Sequence, residues 1–314
     1  MPKNPMISSF HSRNPRGAAL MAVIWLIAIL AMACMATLRV ISFDMELASA
    51  KVHGSRARQV AEMGIAIGSH NLVKRTDPIL RHMDESTGEG YEVKLTSEGG
   101  RFNINYVLLN DDKDLLRSIF ISWGIELDEA QAIADALKDW VDADNNEELK
   151  GAEKSYYEKE GRINQPFDRP FYDINEMRLV RGMDMVEAVR PDWRNWFTIW
   201  SSGGLDVNEA SAELIAAAAD ISVEEADAIP EKVRGDDGIR DTTDDVVLDK
   251  ATALGLIGVD TADTKITNRF NESDQTMRIE SIGTAEGAKR KITVIVANRS
   301  GRPSLLERTE EIIP

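Results

Sequence analysis

The most chemically suggestive stretch of the sequence is an acidic segment, DADNNEELKGAE, at residues 142–153. Numbered as a calcium-binding EF-hand loop, it places Asp142, Asp144 and Asn146 at positions one, three and five, and Glu153 at position twelve. Those positions supply oxygen ligands to the ion. Asp139 lies about one helical turn before Asp142 and can add a carboxylate. The pattern predicts a site for a hard divalent cation with these five residues as ligands.

A solvated acidic loop is the alternative explanation of the same residues. An EF-hand loop needs glycine at its sixth position for a sharp turn, and here that position is Glu147. No histidine lies nearby, and no cysteine competes, so any bound cation should be calcium rather than zinc. A second acidic run, from Asp236 to Asp245, matches no ligand spacing, and it is either a second ion site or a mobile acidic loop.

The charge of the chain bears on its partners. The sequence has 53 acidic and 37 basic residues and a net charge of −16, although its first 17 residues carry only basic charge. Such a body repels nucleic acid and anionic lipid surfaces. The sequence shows no phosphate-binding glycine loop, zinc motif or serine nucleophile elbow. We therefore expect neither a nucleic-acid-binding protein nor an enzyme.

The N-terminal segment resembles a membrane span. Residues 18–38 carry no charge and would form a helix of roughly 31 Å, about one hydrocarbon thickness. Basic residues precede the span, so the N-terminus should stay cytoplasmic while the bulk of the chain crosses. Helical spacing of apolar residues continues until Thr76-Asp77-Pro78, which predicts one helix from about Ala18 to Arg75.

Three kinds of processing compete at this end. A signal peptidase could cut after the small-x-small pattern Ala31-Met32-Ala33, and a lipoprotein would use Cys34. The third possibility is a cut between Gly17 and Ala18, before the apolar run, which leaves the span on the mature protein. The abrupt boundary between Arg16-Gly17 and the apolar run favours this last interpretation, as does a helix that continues well beyond the membrane.

The rest of the chain predicts an α+β fold. Alternating residues predict one hairpin from 91–95 and 102–106 around Glu98-Gly99-Gly100, and another from 277–282 and 291–296. Between them the sequence is mainly helical, with Asp128, Asp173 and the Ser222/Glu225 capping box as helix starts. The predicted organisation comprises a leader at 1–17, a helix at 18–76, a β region at 91–110 and 264–300, and an inserted helical domain at 111–263.

A weak internal repeat raises a different function. GRFNIN at 100–105 echoes GGLDVN at 203–208, and each precedes a helix pair, as in helix-hairpin-helix units that bind DNA phosphates. That chemistry needs a glycine-rich hairpin whose N–H groups face a phosphate. The hairpin at Asp220-Ile-Ser-Val-Glu-Glu has no glycine and three acids. The hairpin residues thus argue against phosphate binding. The competing function is still a membrane-anchored DNA-binding protein of DNA uptake, and an unrelated single-pass calcium-binding envelope protein is a third option.

The leader and four blocks of the body resemble one family. The Arg16-Gly17/Ala18 boundary is similar to a type IV pilin-like leader, in which a prepilin peptidase cuts after glycine. That family usually has a glutamate at the fifth mature residue, but here it is Ala22. The K-type minor pseudopilins of type II secretion also lack it. Blocks similar to theirs follow in the same order: GRFNIN at 100–105, DWVDAD at 139–144, GAEKSYY at 151–157 and NEMRLVRG at 175–182.

The resemblance implies a pilin-like fold with a long N-terminal transmembrane helix, a small antiparallel sheet and a large inserted helical domain. It implies cleavage at Gly17 and Ala18 by prepilin peptidase, methylation, an inner-membrane location and a periplasmic head. It implies assembly with I- and J-type minor pseudopilins and other pseudopilins at the tip of a periplasmic filament that exports folded proteins. It also supports calcium in the helical domain, near the 139–144 block.

Overall fold

A long helix begins the part of the chain that the structure describes. The computed structural model describes residues 15–313, with only the backbone for residues 15–18. Helix α1, Pro15–Gly68, is long and apolar enough from Ala19 onward to cross a membrane, and its side chains up to residue 52 are exposed. The chain divides into two compact units, residues up to Ser55 and residues from Arg56 onward.

Helix α1 ends at Gly68, seven residues before the predicted end at Arg75. The segment that follows forms turns, and its carbonyl groups are bound by a side chain that is distant in sequence. The Arg299 guanidinium donates hydrogen bonds to the carbonyl oxygens of Gly68 (2.8 Å), His70 (2.6 Å) and Val73 (2.6 Å). A cation at a helix C-terminus satisfies carbonyls that have no partner within the helix. The predicted end at Arg75 is wrong because the groups that cap the helix belong to Arg299, far along the chain, and no local pattern of residues shows this contact.

A five-stranded antiparallel sheet packs against the last turns of α1. Strands β1 and β2 are Arg81–Asp84 and Glu89–Ser97. The three-dimensional order is β1-β2-β7-β8-β9, in which β7, β8 and β9 are Thr276–Ala285, Ala288–Ala297 and Ser304–Ile313. The predicted pairing of 277–282 with 291–296 is confirmed by the β7–β8 hairpin. Strand β9 was not predicted, because most of its side chains are polar and exposed.

The predicted hairpin of 91–95 with 102–106 is wrong. Strand β2 pairs with β7 instead, and residues 98–100 form a 3₁₀ helix in which the Gly99 N–H donates to the Ser97 hydroxyl. Only Phe102–Asn103 is extended, as β3, and the Asn103 side chain accepts from the Tyr106 N–H to start helix α2, Ile104–Leu109. A helix cap therefore overrides the alternation of apolar residues.

The region between β3 and β7 is mainly helical. The helices are α3 Lys113–Ser122, α4 Leu127–Val141, α5 Lys154–Lys159, α6 Met183–Val189, α7 Ala212–Ala219, α8 Val223–Ala226, α9 Ala228–Val233, α10 Lys250–Leu256 and α11 Thr264–Thr267. Short strands pair in parallel, β3 with β4 (Phe197–Thr198) and β5 (Leu205–Asp206) with β6 (Phe270–Asn271). These helices enclose one large apolar core, which includes Trp140 and Trp193.

Two of the three predicted helix starts are confirmed. Asp173 caps a 3₁₀ helix at Ile174–Leu179, and the Ser222/Glu225 capping box begins α8. Asp128 is not a cap, because α4 already begins at Leu127, and its carboxylate instead pairs with Lys150 at 2.7 Å. The residues from Arg56 onward form one compact unit, so the predicted boundaries of an inserted domain stay a prediction.

Buried ion pairs join the helical region to the sheet. Glu98 is almost fully buried and accepts hydrogen bonds from Arg278 of β7 and Thr198 of β4, both at 2.5 Å. Glu209 accepts two hydrogen bonds from Arg75, at 2.6 and 2.8 Å, beyond the end of α1. Glu98 thus links the sheet to the helical region through Thr198, and Glu209 links that region to the segment after α1. Removing Arg278 or Arg75 would leave a largely buried acid unpaired.

Candidate cation site

Asp139 organises the acidic loop between α4 and α5. It lies in the last turn of α4 and is fully buried. Its carboxylate accepts hydrogen bonds from the backbone N–H groups of Glu148 (3.1 Å) and Ala152 (2.7 Å). Gly151 permits this approach, because a Cβ at that position would lie 1.8 Å from Asp139 Oδ2. The loop is therefore folded around a buried carboxylate.

Two further acids point buried oxygens into the same region without a hydrogen-bond partner. Glu153, the N-cap of α5, is 3% exposed, and its Oε2 accepts from the Lys154 N–H while Oε1 has no partner. Asp142 follows the end of α4, and its Oδ1 is likewise buried and unpartnered. Unsatisfied buried oxygens are costly, and a bound cation would satisfy them.

The electrostatics of the three acids also favour a cation. Burial, together with the charges of Asp139, Asp142 and Asp168, raises the pKa of Glu153 to about 7. Burial, together with the charges of Asp142 and Glu148, raises the pKa of Asp139 to about 6. The pKa of Asp142 is raised as well, mainly by burial. A divalent ion would reverse this repulsion and favour the ionised form of each group.

Of the five predicted ligands, Asp139, Asp142 and Glu153 lie near enough for their charges to act on one another. The other two, Asp144 and Asn146, lie on an exposed turn in which the Asn146 N–H donates to Asp144 Oδ1 at 2.8 Å. Within residues 15–313, no three Asp, Glu, His or Cys side chains converge as a ready-made metal site. The residues fit calcium in chemistry and burial, and binding would require the loop to close further. The ligand set stays a prediction.

Sequence reasoning missed residues on the rim of this cluster. Asp135, one helical turn before Asp139 on α4, is nearly fully buried and lies 3.1 Å from Lys113 Nζ. The same ammonium lies 2.9 Å from Glu148 Oε2. The four-residue spacing of Asp135 and Asp139 could have revealed that Asp135 lies beside the cluster. Lys113 comes from α3, and no local pattern in the sequence points to it.

The second acidic run forms a separate loop whose carboxylates are largely hydrogen-bonded within the run. Asp244 Oδ2 accepts from the backbone N–H groups of Asp236 (2.8 Å) and Asp237 (3.0 Å), and Asp245 pairs with Arg240 at 3.1 Å. Hydrogen bonds from the Thr242 hydroxyl and from these N–H groups lower the pKa of Asp244 to about 2. Asp241 Oδ1 and Asp245 Oδ1 are buried without a hydrogen-bond partner, and the choice between a second ion site and a mobile acidic loop stays open.

The helix-hairpin-helix alternative receives no support from the geometry of its hairpin. Asp220, between α7 and α8, is left-handed with φ +57° and occupies the place where a phosphate-binding hairpin needs glycine. Helix α8 then begins with Glu224 and Glu225 in its first turn. These carboxylates would repel a phosphate at this helix end.

Comparisons of the sequence with known proteins all find components of the type II secretion system. Residues 100–191 match the sequence model of the family "Type II secretion system (T2SS), protein K". Type II secretion system protein K of Pseudomonas aeruginosa is 29% identical over 167 residues, which are 50% of this chain and 48% of that protein. The protein of the same name from Dickeya chrysanthemi is 35% identical over 71 residues, 22% of this chain and 19% of that protein. The chain thus spans about half the length of the first of these curated relatives, and less of the second.

The fold is similar to that of a chain in the crystal structure of the GspK-GspI-GspJ complex from the enterotoxigenic Escherichia coli type 2 secretion system. The TM-score is 0.58 at 17% sequence identity, and the alignment covers 87% of this chain and 99% of that chain. The long N-terminal helix, the antiparallel sheet and the helical region therefore form the pilin-like α+β fold that the sequence predicted.

Proposed function

We propose that this chain, whose residues 100–191 match the type II secretion system protein K family, is a member of that family and works as a minor pseudopilin at the tip of the periplasmic pseudopilus. The observation that carries the proposal is the combination of two parts in one chain. A protein K region covering α2 to α6 lies in the same compact unit as a pilin-like sheet, and Glu98, just before that region, pairs with Arg278 of the sheet. The sheet packs on a helix that is long enough to anchor in the inner membrane.

The position of the subunit at the tip follows from Ala22. If the chain is cut between Gly17 and Ala18, residue 22 is the fifth mature residue, where pilin-like subunits usually place a glutamate. In that family the glutamate is thought to pair with the N-terminal amine of a neighbouring subunit, because a charge in a low-dielectric bundle needs a partner. Ala22 has no charge and lies on the exposed face of α1. This chain would therefore be placed first, with no subunit above it.

The proposed partners are I- and J-type minor pseudopilins, together with other pseudopilins. The solved complex with a similar fold contains GspK, GspI and GspJ. In our chain, the apolar side chains of α1 from Leu20 to Val52 are exposed, which suits packing against other apolar helices. Export of folded proteins across the outer membrane would be the function of the whole machine, and we assign no catalytic step to this subunit.

Maturation and location belong to the same proposal. Prepilin peptidase would cut before Ala18 and leave the span on the mature chain, the new amine would be methylated, and the head would lie in the periplasm. The absence of charge from residue 18 to residue 38 and the basic residues before it support this orientation. The N-terminal sequence of the mature protein tests it, because cleavage after Ala33 or before Cys34 would remove the span.

Calcium is the proposed cofactor, held by Asp139, Asp142 and Glu153. Asp144 and Asn146 would join if the exposed turn closes over the ion. The support comes from two buried carboxylate oxygens without partners, on Asp142 and Glu153. Oxygen ligands of this kind suit calcium. The ion would neutralise the repelling acids and hold the loop between α4 and α5 in one conformation.

Co-isolation from membranes tests the assembly. The mature chain, expressed with the I- and J-type subunits of its own system, should purify with both of them in detergent. A chain shortened to begin after Leu38 lacks the apolar span and serves as the matched control for helix packing. Recovery of the full chain without either subunit would refute the proposed role. A gel shift at two salt concentrations distinguishes the DNA-binding alternative, for which binding should weaken steeply with salt.

A further inference from the structure

A cavity of about 240 Å³ opens between the end of helix α2 and the segment that leads into β5. Its floor is apolar and consists of four side chains that are at most 5% exposed, Phe102, Val107, Leu115 and Leu205. On one side, the ring of Tyr106 lies against Gly203, where a Cβ would be 2.9 Å from Tyr106 Cε2. The cavity is smaller than the sites that enclose drug-sized ligands, so it suits a single side chain.

The two cations that line this cavity are already paired. Arg269 Nε and Nη2 lie 2.6 and 2.7 Å from the two carboxylate oxygens of Asp112, and Nη1 donates to the Ala218 carbonyl oxygen at 3.0 Å. Lys265 Nζ lies 2.6 Å from Asp114 Oδ2. Because both cations are neutralised by these acids, neither of them attracts an anion into the cavity.

Asp111 is the acid that these pairs leave over. It lines the cavity, is exposed, and directly follows Asn110, the C-cap of α2. Within residues 15–313, its carboxylate accepts no hydrogen bond and forms no ion pair. An apolar floor beside an unpaired negative charge matches a side chain with an apolar stem and a positive end. Tyr106 adds an aromatic face, on which a planar guanidinium stacks better than an ammonium does.

We propose that this cavity receives an arginine side chain of a neighbouring subunit, with its stem on the apolar floor and its guanidinium beside the Tyr106 ring and the Asp111 carboxylate. The inference rests on the proposed function, because an assembled subunit has such a neighbour. It does not depend on calcium. A guanidinium can donate two parallel hydrogen bonds to one carboxylate, so the contact would fix the orientation of the neighbour on the helical region.

A small-molecule titration tests the chemistry of the cavity. The full chain in detergent, with labelled methyl groups, is titrated by NMR with n-propylguanidinium, the side chain of arginine, and with uncharged n-propylurea. The cation should give saturable shifts at the methyl groups of Val107, Leu115 and Leu205. Asp111→Asn should weaken its Kd by about two- to fivefold, the usual worth of an exposed ion pair, and leave n-propylurea unaffected.

Asp184→Asn, which removes an exposed acid from α6, is the matched control and should bind the cation as the wild type does. Three results overturn the assignment: no saturable shift at these methyl groups, a Kd for n-propylurea as low as that of the cation, or the same Kd for the cation in Asp111→Asn and the wild type.

Photocrosslinking tests the occupant. The photoreactive residue p-benzoylphenylalanine replaces Asn110, which is exposed and lines the cavity, in a chain expressed with the I- and J-type subunits. The crosslinked peptide should contain an arginine, and the yield should fall at least twofold in Asp111→Asn but not in Asp184→Asn. No crosslink, or one that is insensitive to Asp111→Asn, overturns the docking, while co-isolation with both subunits would still support the assembly. Failed co-isolation refutes the proposed function itself.

Discussion

Gly283 of β7 lies directly against the backbone of Ala57 in α1. A Cβ at residue 283 would be 2.0 Å from the Ala57 carbonyl oxygen and 2.4 Å from the Ala61 nitrogen. Gly64, farther along the helix, approaches Ser281 in the same way, with a Cβ position 2.2 Å from its Oγ. The helix and the sheet are therefore in contact through backbone atoms, which no change of side-chain rotamer can move apart.

Replacing Gly283 should loosen this contact. We expect Gly283→Ala to lower the free energy of unfolding by about 1–3 kcal/mol, the usual cost of overpacking, because the obstructing atoms are backbone. Gly255→Ala in α10 is the matched control, since its Cβ would meet open space and should stabilise the helix by up to ~1 kcal/mol. Denaturant unfolding followed by circular dichroism measures both. Equal stability of the two variants would contradict the close packing.

Calcium should stabilise the folded chain. At a calcium concentration of about 100 Kd, binding to the native state alone adds about 2.7 kcal/mol, which raises the Tm by roughly 4 °C for a protein of this size. Glu153→Gln and Asp142→Asn should abolish the rise, whereas Glu224→Gln, an exposed acid in α8, should keep it. Thermal unfolding with calcium and with chelator provides the measurement. An unchanged Tm in the wild type would refute the cation site.

Asp206 should make stability depend on pH. Burial, with the charges of Glu209 and Asp274, raises its pKa to about 6, although Arg75 opposes the shift. A folded pKa above the unfolded value of 3.8 means that the folded state holds the proton more tightly. The stability contribution of this group is therefore complete below about pH 4 and is lost as pH rises through 6, a change of about 2–3 kcal/mol.

The variant Asp206→Asn isolates this effect. The amide oxygen can still accept the Asn208 N–H, which Asp206 Oδ1 accepts at 2.9 Å. The variant should be more stable than the wild type at pH 7.5, and the advantage should shrink on going to pH 4.5. Denaturant unfolding at the two pH values measures the difference. An advantage that is the same at both pH values would show that Asp206 does not titrate between them.

Ala22→Glu should alter the order of assembly. The variant gains the carboxylate that lets a pilin-like subunit dock beneath another, so the chain should appear at interior positions of the filament. Ala28→Glu is the matched control. Residue 28 lies six positions further along the same span and on a different side of the helix, so this variant introduces the same charge away from the fifth mature position. Crosslinking of co-expressed subunits measures the neighbours. If Ala22→Glu still occupies only the tip of the filament, the absence of an acid at residue 22 does not determine the tip position.

Part of this structure could be predicted because it is local. The Ser222/Glu225 box and the β7–β8 hairpin depend on neighbouring residues, and both are confirmed. The pairing of β2 with β7 joins residues almost two hundred positions apart, and the alternation in β2 alone does not identify its partner. In the candidate site, Asp139 could be found by helical spacing, whereas Lys113 reaches the rim of the site only through tertiary packing.

Arg299 has a mechanical consequence. It lies between β8 and β9, and its guanidinium holds three carbonyl groups at and just beyond the end of α1. Two connections therefore join the last turn of α1 to the strands, the covalent segment 69–77 and the hydrogen bonds of Arg299. This end of the helix cannot shift along its axis relative to the two long C-terminal strands without breaking those hydrogen bonds.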